Sequence, residues 1–535
     1  MLSATLTQRN VWTTVEADDA AYKLLDKKLK VWVKGAERRW EYRSKRWDGY
    51  EHNFTANHKF RSGLVEYVQR ALEAAGYDVT VVDDRERPRT VLNDIALEGI
   101  TLRPYQVEAV DNAIKLGRGV IQHGTGGGKT ETDAAIIQRL GLPTLLLIDQ
   151  QHLASQTRDR FAARLGKKVG LLGAGTKDLT SDYVCATFQS VNAALEAPAR
   201  LEKQIAKAKQ GLVRAKLYAR QPAAEKKRQK MLDWLSGFDV LLVDECHHLV
   251  APSYQSAADK VPAFYRFGTS ATPFKSKGLK DRTKNDDPAA LLHVVGTTGP
   301  LLHEFIAGDL AEGGYVVRAN IEMVNWRKPN VEPTWGWERE DFDLDDDHYD
   351  YTGRKATKQR AAVPGLYRTA IIEQKERNRA IVAEALSLWS RGLPALVFVD
   401  KVEHGKELYV AFKMAFEDTS EVVAFIHGKH DVAIRDEALR GLSESRIPIV
   451  IASTVLDEGV DIPANIALVF AGGGKAQHRY IQRIGRGQRL ADDKFVVEVR
   501  DFFDTHSKTM WVHSKKRLSA YESDPAGYSV KVVTR

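Results

Sequence analysis

The 535-residue sequence predicts an α/β protein with two parallel-sheet domains in tandem, a small α+β domain before them, and a helical hairpin inserted in the first. Three observations lead to this prediction. A chain of this length should fold as about three domains. An apolar segment, a glycine loop and a helical pattern follow one another at residues 118–140, and another apolar segment ends in two acids, Asp244 and Glu245. Such units are typical of parallel α/β sheets.

The composition is that of an ordinary globular protein, with 43% hydrophobic and 28% charged residues. No apolar run approaches the ~20 residues that span a bilayer, and the first ten residues lack an apolar signal core. The two cysteines, Cys185 and Cys246, cannot build a disulfide framework or a structural zinc site. We therefore expect a reducing, cytoplasmic location and no membrane partner.

Positive charge is concentrated in two segments. Residues 200–230 contain 11 Lys/Arg against two acids, and residues 21–50 contain 10 against four, while the whole chain has a net charge of +8. Charge gathered in this way favours a polyanionic partner, although a solvated helix face is the alternative.

Residues 1–90 are expected to form an α+β nucleic-acid-recognition domain. The segments "KVWV" and "WEYR" are predicted strands, and "SGLVEYVQRALEAAGY" is a predicted helix that ends at Gly76. Basic residues supply phosphate contacts, and Trp32, Trp40 or Trp47 could stack on bases. The tryptophans could equally form the core of the domain.

The glycine loop is predicted to bind phosphate. The segment "RGVI" before it is a predicted strand and "ETDAAIIQRL" after it a predicted helix, so that backbone N–H groups and the helix N-terminus meet the anion. Lys129 would reach the β- and γ-phosphates, and Thr130 would hold Mg²⁺. In the usual phosphate-loop pattern, G-x-x-x-x-G-K-[ST], the first position is glycine, and this sequence has His123 there. The expected nucleotide-contacting loop residues are Gly124, Thr125, Gly126, Gly127, Gly128, Lys129 and Thr130.

Residues 199–236 are predicted to form a basic helical hairpin. Leu201, Ile205, Ala208, Leu212 and Ala215 follow a coiled-coil spacing over a first helix of ~22 residues. Gln221 and Pro222 would make the turn. Lys226, Lys227 and Arg228 on the returning helix are expected to contact nucleic acid, with a protein partner as the alternative.

The second acidic site strengthens the nucleotide interpretation. The strand at 240–243 ends in Asp244, which would complete the magnesium site together with Thr130, and in Glu245, which would orient and deprotonate the attacking water.

The order of motifs resembles that of the superfamily 2 helicases. "DECH" (244–247), "SAT" (270–272) and "QRIGRGQR" (482–489) resemble motifs II, III and VI, and "LRPYQ" (102–106) resembles the adenine-reading element. "TFQS" (187–190) is similar to motif Ib and "STVLDEGVDIP" (453–463) to motif V. Within the superfamily the chain looks most like the phage UvsW and XPB-like branch.

This resemblance implies two RecA-like P-loop lobes, at residues 91–320 and 366–535, joined by a linker at 321–365. It implies ATP bound with Mg²⁺ between the lobes. The residues that it implies for catalysis are Lys129, Asp244, Glu245, Gln482, Arg486 and Arg489, and those for nucleotide binding outside the loop are Arg103, Gln106, Gly459 and Asp461. The residues expected to couple the ATP site to the nucleic-acid-binding face are His247, Ser270 and Thr272. Those expected to contact nucleic acid are Gln189, Thr454 and Trp47.

The sequence thus predicts an ATP-dependent helicase or translocase, acting on forked or branched DNA in replication, recombination or repair, in a bacterial or phage-infected cell. An RNA or RNA–DNA helicase, a double-strand translocase that does not unwind processively, and a nucleic-acid-binding scaffold with a weak ATPase are the alternatives. Protein partners are not indicated.

Overall fold

The computed structural model describes residues 2–33, 35–88, 96–208, 211–274, 288–326, 362–416, 422–456, 462, 465–474, 476–491 and 494–535. The chain divides into two compact units, Met1–Ile306 and Ala307–Arg535. Among the described residues, no helix combines the length and the hydropathy needed to cross a bilayer.

A small α+β domain begins the first unit. Its strands are β1 (Leu2–Gln8), β2 (Trp12–Glu16), β3 (Lys30–Trp32), β4 (Tyr50–His52), β5 (Lys59–Arg61) and β6 (Tyr77–Asp83), and its helices are α1 (Asp19–Lys28), α2 (Trp40–Arg43) and α3 (Val65–Glu73). The main sheet has the order β5-β2-β1-β6, while β3 and β4 pair separately. Helices α1 and α3 bury Leu25 and Leu72 against Leu6 and Phe60 of the sheet.

Two local predictions in this domain have different outcomes. The prediction of a strand at "WEYR" is wrong, because this segment forms the helical turn α2. In this turn the Ser44 N–H donates to the Trp40 carbonyl at 2.8 Å. Four alternating residues are too few to separate one helical turn from a short strand. The predicted helix is present as α3, and the chain reverses through Gly76 at φ +88°.

The α+β domain is packed tightly on the parallel-sheet domain of the same unit. Its core cluster includes Leu292 and Val295 from that domain. A Cβ on Gly63 would lie 1.9 Å from the Val295 carbonyl oxygen, so that only glycine fits there. Arg61 also donates to Asp259 at 2.9 Å, with both side chains nearly buried. The two domains therefore share one core.

The rest of the first unit is a parallel α/β domain. Its strands are β7 (Arg118–His123), β8 (Thr144–Ile148), β9 (Gly170–Gly173), β10 (Thr176–Lys177), β11 (Tyr183–Thr187), β12 (Val240–Asp244), β13 (Tyr265–Ser270) and β14 (Leu301–Phe305). The sheet order is β10-β9-β11-β8-β12-β13-β7-β14, and among the described strands only β10 runs antiparallel to its neighbour. The non-sequential order requires helical crossovers that cover both faces.

The helices of this domain are α4 (Pro104–Leu116), α5 (Lys129–Leu140), α6 (Gln151–Leu165), α7 (Phe188–Leu195), α8 (Ala197–Lys207), α9 (Gly211–Tyr218), α10 (Gln221–Leu235), α11 (Pro252–Ala258), α12 (Pro288–Ala290) and α13 (Gly296–Thr298). A π-helical turn, Leu291–Val295, joins α12 to α13. The predicted strands and helix around the glycine loop and the acidic pair are present as β7, α5 and β12.

The insertion at 199–236 forms three helices, so the prediction of one long first helix is wrong. The backbone leaves the helical region at Ala208 (ψ 116°), between α8 and α9. Leu201 and Ile205 are buried as the spacing predicts, whereas Leu212 is 81% exposed. The alanines at the predicted coiled-coil positions offer too little apolar surface to hold the helices together beyond Ile205. Pro222 lies in the first turn of α10 and not in the preceding turn.

The second unit is a second parallel α/β domain. Its strands are β15 (Arg318–Asn325), β16 (Ala395–Phe398), β17 (Val423–Ile426), β18 (Ile449–Ala452), β19 (Ala467–Phe470), β20 (Val496–Phe502) and β21 (Tyr528–Thr534). Its helices are α14 (Ala307–Glu312), α15 (Ala362–Tyr367), α16 (Lys375–Ser390), α17 (Val402–Ala415), α18 (Val432–Ser443), α19 (Gln477–Gly487) and α20 (Lys508–Glu522). The seven strands have the order β17-β18-β16-β19-β20-β15-β21.

The domain boundary differs from the predicted one. The second unit begins at Ala307, and β15 lies between β20 and β21 inside its sheet, although the expected linker began at residue 321. Ile321 and Met323 are fully buried in this sheet, which accounts for the alternating apolar pattern there. Residues 327–361 of the expected linker lie outside the described residues.

Candidate functional site

The glycine loop joins the carboxyl end of β7 to the first residue of α5, Lys129. Gly126 (φ +83°) and Gly128 (φ +70°) adopt left-handed conformations that strain other residues. A Cβ on Gly128 would lie 2.4 Å from the Gln106 amide nitrogen. The Thr125 hydroxyl oxygen is buried, and it has no hydrogen-bond partner within the described chain. This loop has the tight turn, the helix N-terminus and the unsatisfied polar group that fit a phosphate ligand.

Three charged groups meet at the carboxyl edge of this sheet. Asp244 ends β12, which pairs with β13, and β13 in turn pairs with β7. The Lys129 Nζ lies 3.7 Å from a carboxylate oxygen of Glu245. The structure therefore brings Lys129 together with Asp244 and Glu245, although Lys129 precedes Asp244 by 115 positions in the sequence.

The two carboxyl groups have opposite pKa shifts. Burial and the neighbouring Glu245 charge raise the pKa of Asp244 to about 6. Burial would also raise the pKa of Glu245, but the Lys129 ammonium and the hydrogen bonds with His247 and Ser270 outweigh it, so that this pKa is lowered. Glu245 is thus held ionised, as a group that accepts a proton must be.

Glu245 is also held in place by the residues expected to couple the site to nucleic acid. It adopts an unusual left-handed backbone conformation, φ +47°. The Ser270 hydroxyl donates to the Glu245 carboxylate at 2.9 Å, and His247 Nδ1 lies 3.1 Å from the same hydroxyl. The Thr272 N–H donates to Ser270 Oγ at 3.1 Å. His247, Ser270 and Thr272 are therefore one network with Glu245.

The expected adenine-reading residues contact the glycine loop directly. Gln106 donates to the carbonyls of Gly127 and Gly128 at 3.3 Å, and its own carbonyl accepts from the Arg103 N–H at 2.8 Å. The Arg103 guanidinium donates to Tyr105 Oη at 3.1 Å. The segment 102–106 therefore holds the glycine loop in place through the hydrogen bonds of Gln106.

The structure adds residues that the sequence interpretation did not select. The Tyr105 hydroxyl donates to the Gly127 carbonyl at 2.8 Å, and its ring stacks on Phe305 at 4.0 Å. Asp133, one helical turn after Lys129, is buried, and burial and the Asp244 charge raise its pKa well above the ordinary value. Tyr105 lies inside the quoted "LRPYQ", so a signal existed for it. An acid inside the apolar run of α5 was a weaker signal for Asp133.

His123, in place of the usual first glycine, belongs to a buried aromatic group. Its Nε2 lies 3.0 Å from Nδ1 of His303, and its ring meets Tyr105 edge-on at 5.2 Å. Burial lowers the pKa of His123 to about 3, so the imidazole is neutral. The substitution therefore supplies packing under the loop and no positive charge.

The second unit brings two of the expected motifs together. Arg486, on α19, donates to the Leu456 carbonyl at 2.7 Å, in the 3₁₀ turn Thr454–Leu456. Gln482, Arg486 and Arg489 are half-buried, and Thr454 is exposed. Gly459 and Asp461 lie outside the described residues. Motifs V and VI are thus adjacent within this unit.

The expected nucleic-acid residues of the first unit lie in three places. Gln189, on α7, donates to the Asp149 carboxylate at 2.8 Å, and Tyr254 also donates to that carboxylate. Trp47 is half-buried, and its indole donates to the Tyr50 carbonyl at 2.7 Å, whereas Trp40 is 59% exposed. The third place is helix α10, where Lys226 and Lys227 are exposed and Arg228 is half-buried.

Two protein families match separate parts of the chain. Residues 99–275 match the family described as "Type III restriction enzyme, res subunit", and residues 377–491 match "Helicase conserved C-terminal domain". Together they cover more than half of the chain, and each match falls in one of the two parallel α/β domains.

Curated relatives extend across most of the chain. The "DNA 3'-5' translocase XPB2" of Sulfurisphaera tokodaii is 26% identical over 82% of this chain and 89% of its own length. The "DNA 3'-5' helicase XPB" of Kineococcus radiotolerans is 25% identical over 82% of this chain and 66% of its own length.

One solved structure shares the fold, and a second covers the whole chain with a lower score. The DNA-bound Type ISP restriction-modification enzyme LlaBIII has a TM-score of 0.53 at 14% identity, over 85% of this chain and 33% of its own. The T4 UvsW structure has a TM-score of 0.41 at 17% identity, over 100% of both chains. The prediction of two tandem RecA-like domains is confirmed by the two parallel sheets and the two family matches.

The matched families and the XPB relatives confirm the interpretation of the motifs. The chain belongs to the superfamily 2 helicases, and its curated relatives are of their XPB type.

Proposed function

We propose that this chain is an ATP-dependent DNA helicase or translocase that remodels forked or branched DNA. The observation that carries the proposal is the meeting of Lys129 with Asp244 and Glu245 at the carboxyl edge of a parallel sheet, beside a glycine loop. This is the arrangement with which P-loop enzymes hydrolyse nucleoside triphosphates.

The chemistry follows from the charges of these residues. Lys129 would hold the β- and γ-phosphates, with the loop glycines presenting backbone N–H groups. Glu245, kept ionised, would orient the attacking water and accept its proton. The hydroxyl of Thr130 and the carboxylate of Asp244 are hard oxygen donors suited to Mg²⁺, which would neutralise charge on the phosphate oxygens.

The second RecA-like domain would complete the reaction. Arg486 and Arg489 would stabilise the charge that develops on the γ-phosphate, since a guanidinium is permanently charged and planar. Gln482 lies on the same helix as Arg486. If arginines from the second domain are required, ATP hydrolysis depends on domain closure, and the closing motion can be transmitted to DNA.

DNA would be contacted through Gln189 and Thr454 on the two domains, and through the basic hairpin. In the N-terminal domain Trp40 is the more exposed tryptophan, with the Arg46 guanidinium 4.6 Å from its ring, so we add it to Trp47 as a stacking residue. The relatives' names support DNA over RNA, and a role in repair, recombination or replication follows from this substrate. Cytoplasmic location stays a prediction.

The decisive experiment is the rate of ATP hydrolysis with a panel of single-stranded, duplex, forked and four-way DNA, RNA, and RNA–DNA hybrid. We expect the highest rates with forked or branched DNA. Stimulation by RNA alone would replace the proposal with an RNA helicase. Binding of DNA with no stimulated hydrolysis would indicate a scaffold.

A further inference from the structure

A cavity with polar walls lies where the N-terminal domain meets the first RecA-like domain, and its volume is about 300 Å³. We call it the α11 cavity. Its walls include Trp12, Glu51 and Arg61 of the N-terminal domain, and Gln255, Asp259 and Lys260 of α11 and the two residues after it. This volume lies at the lower end of the range for small-molecule sites, so the cavity has room for one small ligand.

Gln255 is the wall residue that indicates a ligand. It is only 3% exposed, and its amide nitrogen has no hydrogen-bond partner within the described part of the chain. Buried polar atoms are nearly always hydrogen-bonded, because an unsatisfied one keeps the full cost of leaving water. The Gln255 amide is therefore available to donate a hydrogen bond to a ligand in the cavity.

The charges of the walls favour a ligand that is polar and uncharged. Two carboxylates and two cations line the cavity, so it has no excess of positive charge to hold a free anion. Arg61 and Asp259 are paired with each other at 2.9 Å. Glu51 has one carboxylate oxygen 3.4 Å from His293, and this hydrogen bond lowers the pKa of Glu51 and keeps it ionised. Since a carboxylate only accepts hydrogen bonds, the ligand needs a donor for Glu51 and an acceptor for Gln255.

The α11 cavity lies beside the proposed DNA-contacting face. Tyr254 precedes Gln255 on α11, and its hydroxyl oxygen accepts from the Gln189 amide at 3.4 Å. Gln189 is the residue of α7 that is expected to contact nucleic acid. Since consecutive Cα atoms are about 3.8 Å apart, a nucleotide next to one held at Gln189 would be within reach of the cavity.

An unpaired nucleobase meets these requirements. Bases are flat and uncharged, and their edges carry donors and acceptors side by side. A base that has left the helical stack is read by hydrogen bonds to this edge and by stacking on aromatic side chains. The aromatic residue of the wall is Trp12, which is half-buried and has the Arg61 guanidinium 5.3 Å from its ring centre.

We propose that the α11 cavity holds one unpaired base of single-stranded DNA. Gln255 would donate to an acceptor on the edge of the base, and Glu51 would accept from its exocyclic amino group. Because thymine has no amino group, the cavity would favour cytosine, adenine or guanine. This inference rests on the proposed function and goes beyond it, because it gives a base preference to a motor whose other expected contacts are with the DNA backbone.

The test compares Gln255→Met with wild type, since methionine has a similar length and lacks the amide donor. Gln69→Met, at a half-buried glutamine of α3, is the matched control. Labelled single strands of about 12 nucleotides, made of cytosine, thymine or abasic residues, are titrated by fluorescence anisotropy without ATP. Urea unfolding of each variant measures its stability.

We expect wild type and the control to bind the cytosine strand about tenfold more tightly than the thymine strand. Gln255→Met should bind the cytosine strand about five- to tenfold more weakly than wild type does, and the abasic strand equally well. It should be at least as stable as wild type, because the change removes an unsatisfied buried group. Glu51→Gln, which adds a donor to the wall, should reduce the preference for cytosine over thymine.

Equal wild-type affinity for the cytosine and thymine strands would overturn the proposal. So would an equal weakening of cytosine and abasic strands in Gln255→Met, since the residue would then act through the DNA backbone or the fold. A wild-type protein that prefers the cytosine strand but has no DNA-stimulated ATP hydrolysis would refute the proposed function and leave the base site standing.

Discussion

The ammonium of Lys129 lies 3.7 Å from the carboxylate of Glu245. The residue expected to bind phosphate therefore forms an ion pair with the residue expected to act as the general base. The ammonium of Lys129 stabilises the ionised form of Glu245, because an opposite charge close by in a buried site favours ionisation. Phosphate oxygens would compete with Glu245 for Lys129. We therefore expect a bound triphosphate to draw Lys129 away from Glu245 and to leave the carboxylate freer to act as the base.

The first prediction concerns this pair. Lys129→Ala and Glu245→Gln should each lower DNA-stimulated ATP hydrolysis by at least about 10²–10⁴-fold, since one change removes phosphate positioning and the other the base. Glu245→Gln should still bind ATP, because the loop and Asp244 remain. Turnover and binding of a fluorescent ATP analogue are the measurements. Asp111→Asn, at an exposed acid on α4, is the control, and near-normal turnover in either site variant would disprove the assignment.

The second prediction concerns the arginines of α19 and its carboxyl end. Arg486→Ala and Arg489→Ala should lower kcat by about 10³-fold or more while changing ATP affinity little, because a finger acts on transition-state charge. Arg440→Ala, on the exposed surface of α18, should leave both parameters as in wild type. Measured kcat and Kd for ATP decide the matter. Loss of affinity with kcat intact would show that the arginines bind nucleotide only.

The third prediction concerns Asp149, which accepts hydrogen bonds from Gln189 and Tyr254 and lies 3.7 Å from His248, beside the acidic motif. Asp149→Asn should raise the DNA concentration for half-maximal stimulation about tenfold. Hydrogen bonds to a charged group contribute about 1.5–3 kcal/mol, and their loss frees Gln189. The ratio of stimulated to basal turnover should fall as well.

A suitable control for Asp149 is Asp182→Asn, at an exposed acid before β11. If DNA titrations of ATP turnover for Asp149→Asn and Asp182→Asn coincide, Asp149 has no part in positioning Gln189 or in coupling.

Asp149, which the sequence analysis did not select, also shows what could and could not be predicted from the sequence. The ends of β7 and β12 were predictable, because an apolar run followed by glycines or acids is a local signal. Asp149 follows β8, and its meeting with Gln189 depends on β8 and β11 being neighbours in the sheet. Strand order is set by long-range packing, and a local pattern does not contain it.

The predictions of one long hairpin helix and of the domain boundary were wrong for related reasons. Helical spacing at 201–215 continues past the point where the helix has anything to pack on, so periodicity alone predicted a longer seam than the buried area supports. Residues 318–325 carry a clear strand pattern, yet only pairing with β20 and β21 assigns them to the second domain.

The fourth prediction concerns the joint between the N-terminal domain and the first RecA-like domain. Arg61→Met should lower the free energy of unfolding by about 3–5 kcal/mol, because it leaves nearly buried Asp259 without its ion-pair partner. Gly63→Ala should also destabilise this unit, since its Cβ has no room beside Val295. Urea unfolding followed by tryptophan fluorescence measures both.

Arg70→Met, at an ion pair that is mostly exposed, should change the stability little and serves as the control. Deletion of residues 1–90 would expose Leu292 and Val295, so we expect an aggregation-prone protein. A well-folded, fully active deletion variant would show that the shared core is dispensable.

The last prediction concerns the charge of the hairpin. Changing Lys226, Lys227, Arg228 and Lys230 to glutamine should weaken DNA binding similarly for all sequences, because backbone contacts carry no base information. If all four residues contact phosphates of duplex DNA, the slope of log K against log salt should become shallower by up to about 3–4. The control exchanges lysine and arginine at the same four positions, which keeps the charge and should keep the slope. An unchanged slope in the glutamine variant would mean that these cations keep an exposed helix soluble or bind a protein. A shallower slope in both variants would mean that geometry and not charge is responsible.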